Sequence, residues 1–116
     1  MASNENYLRA IYELTKNGDG GTTTTEVAEK LDVSPASVSE AIDKLEEENL
    51  VCRAPYKGFT LSPMGRNEGE KLTEKYQTLQ KFFKEKLGLE HPEDEADEVE
   101  HAISEEAVQK LKNLTD

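Results

Sequence analysis

At 116 residues the chain has room for one domain or two small lobes sharing a core, and 25 acidic against 14 basic side chains give it a formal net charge of -11. That balance speaks on its face against nucleic acid, because phosphate binding needs positive surface, while 34% apolar residues are too many for a disordered acidic tail. No apolar run approaches the roughly 18 residues of a membrane span and no basic-then-apolar leader opens the sequence, so the expectation is a cytoplasmic protein with no membrane contact.

Residues 4–16 carry Tyr7, Leu8, Ile11, Tyr12 and Leu14 on a helical stripe, with Ser3 or Asn4 as its cap and Gly18, Gly20 and Gly21 beyond its end. A short second helix places Val27, Ala28 and Leu31 on one face behind a Thr23 or Thr24 cap, with Glu26 in its first turn. Asp32 suits the left-handed conformation of a tight turn, and Ser34-Pro35 then supplies an N-cap followed by Pro at the first helical position. The third helix repeats apolar residues at Val38, Ala41, Ile42 and Leu45 and stops at Asn49.

From Leu50 the period changes. "LVCRAPYKGFTL" reads as a hairpin with Leu50 and Cys52 on one side, a turn from Pro55 to Gly58 and a second strand ending at Leu61. Cys52 is the lone cysteine; it builds neither a disulfide framework nor a Cys-x-x-Cys metal site, and a buried structural role is expected. Ser62-Pro63 repeats the cap signal before a long fourth helix patterned by Leu72, Tyr76, Leu79, Phe82, Phe83 and Leu87 and ended by Gly88, about 25 residues or about 37 Å. His91-Pro92 starts a fifth helix, and Ser104 caps a sixth with Ala107, Val108, Leu111 and Leu114 on its apolar face.

Helix, short helix, tight turn, helix and hairpin is the order of a winged helix-turn-helix. Small or polar residues near the start of the third helix, Ser34, Ala36, Ser37, Ser39 and Glu40, allow close approach to a major groove. Arg53 and Lys57 in the hairpin are the expected phosphate contacts, with Lys44 a further candidate. Taken alone, Ser34 and Ser37 also suit a helix that is merely capped and coated. The stretch "EDEADEVEHAIS", Glu93 to Ser104, packs five carboxylates into six residues ahead of His101 and reads either as a solvated acidic face or as a ligand set.

The motifs "ENYLRAIYEL", "EVAEKLDVSPASVSEAIDKLEEENLV", "YKGFTLSPMG" and "VEHAIS", in this order and covering nearly the whole chain, resemble the diphtheria toxin repressor and manganese transport regulator family of metal-dependent transcriptional repressors. The resemblance implies a mainly α fold: a winged helix-turn-helix DNA-binding domain over residues 1–64 and a helical metal-binding and dimerisation domain over residues 65–116. It implies a homodimer that binds double-stranded operator DNA when a divalent metal is held, as a repressor in iron or manganese homeostasis. Recognition-helix contacts carry over to Ser34, Ala36, Ser37, Ser39 and Glu40, and phosphate contacts to Thr24, Thr25, Lys44 and Lys57. Glu40 stands where some relatives have Gln; a carboxylate accepts from a cytosine amino group and repels phosphate.

The family's principal metal site carries over to Asn6 on the first helix and to Asp97, Glu100 and His101 on the fifth, the last three sharing one face at i, i+3 and i+4. Oxygen ligands with one imidazole suit Fe(II) or Mn(II) over a thiolate-preferring ion. Glu93, Asp97 and Glu100 also stack at i, i+4 and i+7, a mutual repulsion that a divalent cation would reverse. A second family site is weakened here by Tyr76, Gln80 and Glu93, leaving Glu93, Glu5 or Gln77 as material for rebuilding it, so one metal per chain is expected; His91 is read as a loop residue. Leu79, Phe82, Phe83, Leu87 and Leu89 are the expected dimer anchors. Two rivals stand beside this reading, a metal-independent winged-helix regulator and an acidic helical protein-interaction module. An enzyme is disfavoured because the carboxylates and His101 lack a paired nucleophile or second ligating His.

Overall fold

The computed structural model describes residues 3–54 and 58–115. The chain divides into two compact units, Met1–Lys71 and Leu72–Asp116, with the division inside its longest helix.

The N-terminal unit runs α1 (Asn4–Leu14), β1 (Gly21–Thr22), α2 (Thr24–Leu31), α3 (Pro35–Glu47), β2 (Val51–Ala54), β3 (Gly58–Leu61) and the first part of α4 (Pro63–Glu85). The local signals act as their chemistry dictates. Ser3 closes a reciprocal capping box with Asn6, and Thr23 and Ser34 accept the backbone N–H groups of Glu26 and Ser37. Asp32 ends α2 in the left-handed region at φ 54°, ψ 51°, and Asn49 adopts φ 63° just past α3. Ser62 caps α4 by accepting from Gly65 N at 3.0 Å while its hydroxyl donates to the Asn49 carbonyl at 2.6 Å. Apolar stripes on α1, α2 and α3 then meet in a core holding Ile11, Val27, Val38, Ile42 and Leu45.

Two expectations fail in the wing. The sheet is three-stranded, in the order β1-β3-β2, because Gly21 and Thr22 pair with Thr60 and Phe59; the "GDGGTTTT" stretch is a connection that also supplies an edge strand. Cys52 is exposed, not buried. Val51 opposes Leu61 and both are buried, so the strand's alternation turns Cys52 outward opposite Thr60. The turn residues 55–57, including Lys57, lie outside the described residues.

The C-terminal unit comprises the rest of α4, α5 (Pro92–Val99) and α6 (Glu105–Thr115). Its buried apolar residues include Leu72, Leu79, Ala96 and Val108. Gly88, at φ 63°, follows α4, and the Leu89 N–H returns to the Phe83 carbonyl at 3.0 Å. Tyr76 Oη donates to the Glu93 carbonyl at 3.3 Å, joining α4 to α5, and Lys112 Nζ reaches Glu74 Oε1 at 2.6 Å, joining α6 to α4. The fifth helix is shorter than expected: it ends at Val99, and Glu100 and His101 occupy the turn after it. Leu114, expected on the packed face of α6, is exposed. No helix among the described residues is long and apolar enough to cross a membrane.

Candidate functional site

In the N-terminal unit the exposed side of α3 lies opposite Val38, Ala41, Ile42 and Leu45 and carries Ala36, Ser37, Ser39, Glu40 and Lys44. Ser34 and Ser37 are bound to each other: Ser34 Oγ accepts from Ser37 N at 3.1 Å and donates to Ser37 Oγ at 2.9 Å. Their hydroxyls therefore fix the start of the helix as well as facing outward. Thr23, not Thr24, caps α2, which leaves Thr24 and Thr25 as the first two helical residues, where backbone N–H groups have no partner within the helix and favour phosphate.

Arg53 has a different setting from the one its sequence position suggests. Its Nη2 lies 2.5 Å from Asp43 Oδ1 and its Nε 3.5 Å from Glu46 Oε1, both carboxylates of α3. Sequence reasoning missed this pairing, since it joins residues seven and ten apart across a turn from helix to strand. The signal that could have found it is that Arg53 shares a strand face with Val51, the face turned to α3.

The expected metal ligands fall in both units. On α1, Asn6 Oδ1 accepts from Ser3 Oγ at 2.5 Å and from Ser3 N at 3.3 Å, so the side chain already serves as half of the capping box; Glu5 stands beside it in the first turn. In the C-terminal unit, Asp97 is half-buried in the last turn of α5, and Glu100, with helical φ −56° and ψ −28°, continues the helical path with its N–H on the Ala96 carbonyl. Glu100 is 1% exposed, and His101 Nε2 lies 3.8 Å from its Oε1. Beside a carboxylate held out of water a divalent cation is a favourable neighbour, since it pairs with the negative charge. By residue type, two carboxylates and an imidazole suit a hard-to-borderline cation.

Glu93 is exposed and sits elsewhere, with His91 and Asp94, the ligand atoms of the three lying within 4.8 Å of one another. His91 is thus next to a candidate ligand, as the His-x-Glu-Asp spacing around the start of α5 permits. Of the expected dimer anchors, Leu79 is fully buried within the chain and unavailable to a partner, Phe82 and Phe83 are half-buried and pack edge to face at 6.0 Å, and Leu87 and Leu89 are exposed.

A winged helix-turn-helix joined to a helical unit that carries candidate carboxylate and imidazole ligands defines a class, the metal-responsive DNA-binding regulators. Residues 1–59 match the family description "Iron dependent repressor, N-terminal DNA binding domain", and residues 62–116 match "Iron dependent repressor, metal binding and dimerisation domain". The chain belongs to this family, that of the diphtheria toxin repressor and manganese transport regulator, whose members are transcriptional regulators and not enzymes. It is 37% identical over 110 residues to an uncharacterized HTH-type transcriptional regulator of Methanocaldococcus jannaschii, covering 93% of this chain and 88% of that one. It is 31% identical over 114 residues to the HTH-type transcriptional regulator MntR of Oceanobacillus iheyensis, covering 97% of this chain and 76% of the relative. Among solved structures it is similar to the manganese regulator SloR, with a TM-score of 0.86 and 30% identity; the match covers 98% of this chain and 54% of the other, so the chain spans about half of that structure's length.

Proposed function

We propose that this chain is a homodimeric transcriptional repressor that binds operator DNA when it holds Fe(II) or Mn(II), and that it acts in the cytoplasm on genes of iron or manganese homeostasis. The observation that carries the metal part is the buried Glu100 carboxylate with His101 adjacent and Asp97 one turn earlier. These three are the proposed core of the ligand set, and Asn6 and Glu5 are the candidate contributors from α1 by family resemblance. Asn6 would have to share or release its hold on Ser3 to ligate, which makes it the weaker member. The family description names iron and the similar solved structure of SloR is that of a manganese regulator, and oxygen-rich donors suit either ion; Co, Ni and Zn would bind in vitro by the Irving–Williams order.

On DNA, α3 enters the major groove, with Ser37, Ser39 and Glu40 facing base edges and Thr24, Thr25, Lys44 and Lys57 facing phosphate. Glu40 can only accept hydrogen bonds, so it favours bases that present an amino group in the major groove, cytosine above all. In a dimer, two such helices match half-sites one helical turn apart or a multiple of it. Metal promotes binding to the extent that it prefers the DNA-competent state, no further.

The test is operator binding by gel shift with Mn(II), with Fe(II) under anaerobic conditions and with chelator, on the unaltered chain and on His101→Ala. The expected result is a metal-dependent shift that His101→Ala weakens by at least about tenfold, the order seen when one metal ligand's environment is lost. Equal shifts in all conditions would leave a metal-independent winged-helix regulator, and no shift at low salt would point to a protein-interaction module.

A further inference from the structure

We infer that Arg53 serves DNA binding as the counter-ion of an acidic recognition helix, acting through Asp43 and Glu46 and not as a phosphate contact. At about 100° per residue, Ala36, Glu40, Asp43 and Glu47 fall on one line of α3, opposite the buried Val38, Ala41, Ile42 and Leu45, and Glu46 flanks that line. The helix that has to approach a polyanion therefore presents a stripe of carboxylates, with Lys44 as its own cation. Each uncompensated carboxylate brought toward phosphate raises the cost of binding, because like charges set face to face oppose association.

Arg53 answers this from the neighbouring strand. Its guanidinium takes Asp43 through Nη2 at 2.5 Å and Glu46 through Nε at 3.5 Å, spanning two carboxylates one turn apart with one planar group. The strand fixes where that charge sits: Arg53 lies opposite Phe59, which is buried, in a ladder that runs from Val51↔Leu61 to Ala54↔Gly58. A Lys would supply the charge without the fork. Arg53, Asp43 and Glu46 are about half exposed or more, so the pairs contribute little to folding; their effect is on the field at the face that meets DNA.

This proposal rests on α3 being the DNA-facing helix. The experiment uses the Mn(II)-saturated full chain, titrated by fluorescence anisotropy into a short mixed-sequence duplex at low and moderate KCl. Arg53→Ala is expected to weaken binding about tenfold, as expected for leaving two carboxylates uncompensated toward phosphate. Adding Asp43→Asn and Glu46→Gln to Arg53→Ala should return affinity to within about twofold of the unaltered chain, since the charges that needed a counter-ion are gone. Asp43→Asn with Glu46→Gln, leaving Arg53 in place, should bind at least as tightly as the unaltered chain. If Arg53 touched phosphate itself, or merely held the wing in position, the triple variant would stay as weak as Arg53→Ala, and that outcome overturns the proposal while leaving DNA binding intact. Failure of the unaltered chain to bind the duplex at the lowest salt overturns the DNA-binding reading and this proposal with it. Thermal unfolding of all variants within a few degrees of one another shows that the comparison is made between folded proteins.

Discussion

In the N-terminal unit Ile11, Val27 and Val38 are fully inaccessible, drawn from three helices that close on one another, and Phe59 and Leu61 of β3 are buried as well. The C-terminal unit buries Leu72, Leu79, Ala96 and Val108, but it also buries the Glu100 carboxylate and leaves Leu87, Leu89 and Leu114 exposed. The first is a core that the chain's own sequence completes. The second mixes a buried carboxylate and exposed leucines with its apolar residues. The match to a metal-binding and dimerisation domain gives both features a candidate use, the carboxylate as a cation ligand and the leucines as a surface for a second copy. Metal and partner binding would make the stability of the C-terminal unit conditional on their concentrations, whereas the apolar core of the N-terminal unit is intrinsic to the chain.

The sharpest way to break the intrinsic core is at Gly65. A Cβ there would lie 1.9 Å from the Leu50 carbonyl oxygen, which is held in place by the Ser62 N–H at 3.0 Å. Backbone cannot yield as a side-chain tip can, so Gly65→Ala should destabilise by about 3 kcal/mol, read from the urea midpoint. Gly88 is the contrast in the other unit: nothing lies within 4 Å of its Cβ position, and φ 63° alone is strained for alanine, so Gly88→Ala should cost about 1 kcal/mol.

Next in size is the conditional unit. Replacing Glu100 with Leu removes the proposed ligand and should abolish the metal-induced gain in stability, each protein being compared with its own metal-free form. With free Mn(II) at about a hundred times its dissociation constant, the unaltered chain should gain about 2.7 kcal/mol and the variant close to none. Calorimetry with and without metal reads both arms, and an equal metal-induced gain in the variant would remove Glu100 from the ligand set.

Smaller again is the loss of a cap. Ser34→Ala deprives the Ser37 N–H of its acceptor and should cost about 1 kcal/mol in thermal unfolding, and it should weaken DNA binding as well by loosening the start of α3.

These effects divide along the line between what was legible in the sequence and what was not. Caps and stops such as Ser34-Pro35, Asp32, Asn49 and Ser62 are set by chemistry within a few residues, so the helices of the N-terminal unit could be read directly. The edge strand at Gly21–Thr22 could not, because two residues carry no period and their partners are about forty positions away. Cys52 was misplaced for a related reason: whether Leu50 or Val51 begins the inward alternation depends on the packing of the strand against α3, which a short run leaves ambiguous. At the candidate metal site, the family motif supplied Asp97, Glu100 and His101, whereas the early end of α5 and the burial of Glu100 belong to tertiary packing. The Arg53 pairing with Asp43 and Glu46 was likewise invisible, since charge counting assigns every cation near a wing to phosphate.

The smallest expected effect tests the intrinsic core by titration. Tyr12 on α1 packs against α4, where a Cβ on Gly69 would come within 2.8 Å of Tyr12 Cβ. Burial pushes its phenol above the ordinary value, the nearby carboxylates of Glu70 and Asp19 push it further, and Arg66 opposes them. The folded chain therefore holds the phenolic proton to higher pH than the unfolded chain does. Below the unfolded value of 10.0 both states are protonated and the shift contributes nothing; above it the unfolded state ionises first, so stability falls as pH rises until the folded state ionises too. Tyr12→Phe should flatten that alkaline decline, measured as the unfolding midpoint between about pH 9 and 11, the range around an ordinary phenol's titration. An unchanged slope in the variant would assign the alkaline loss to other groups and leave Tyr12 as packing alone.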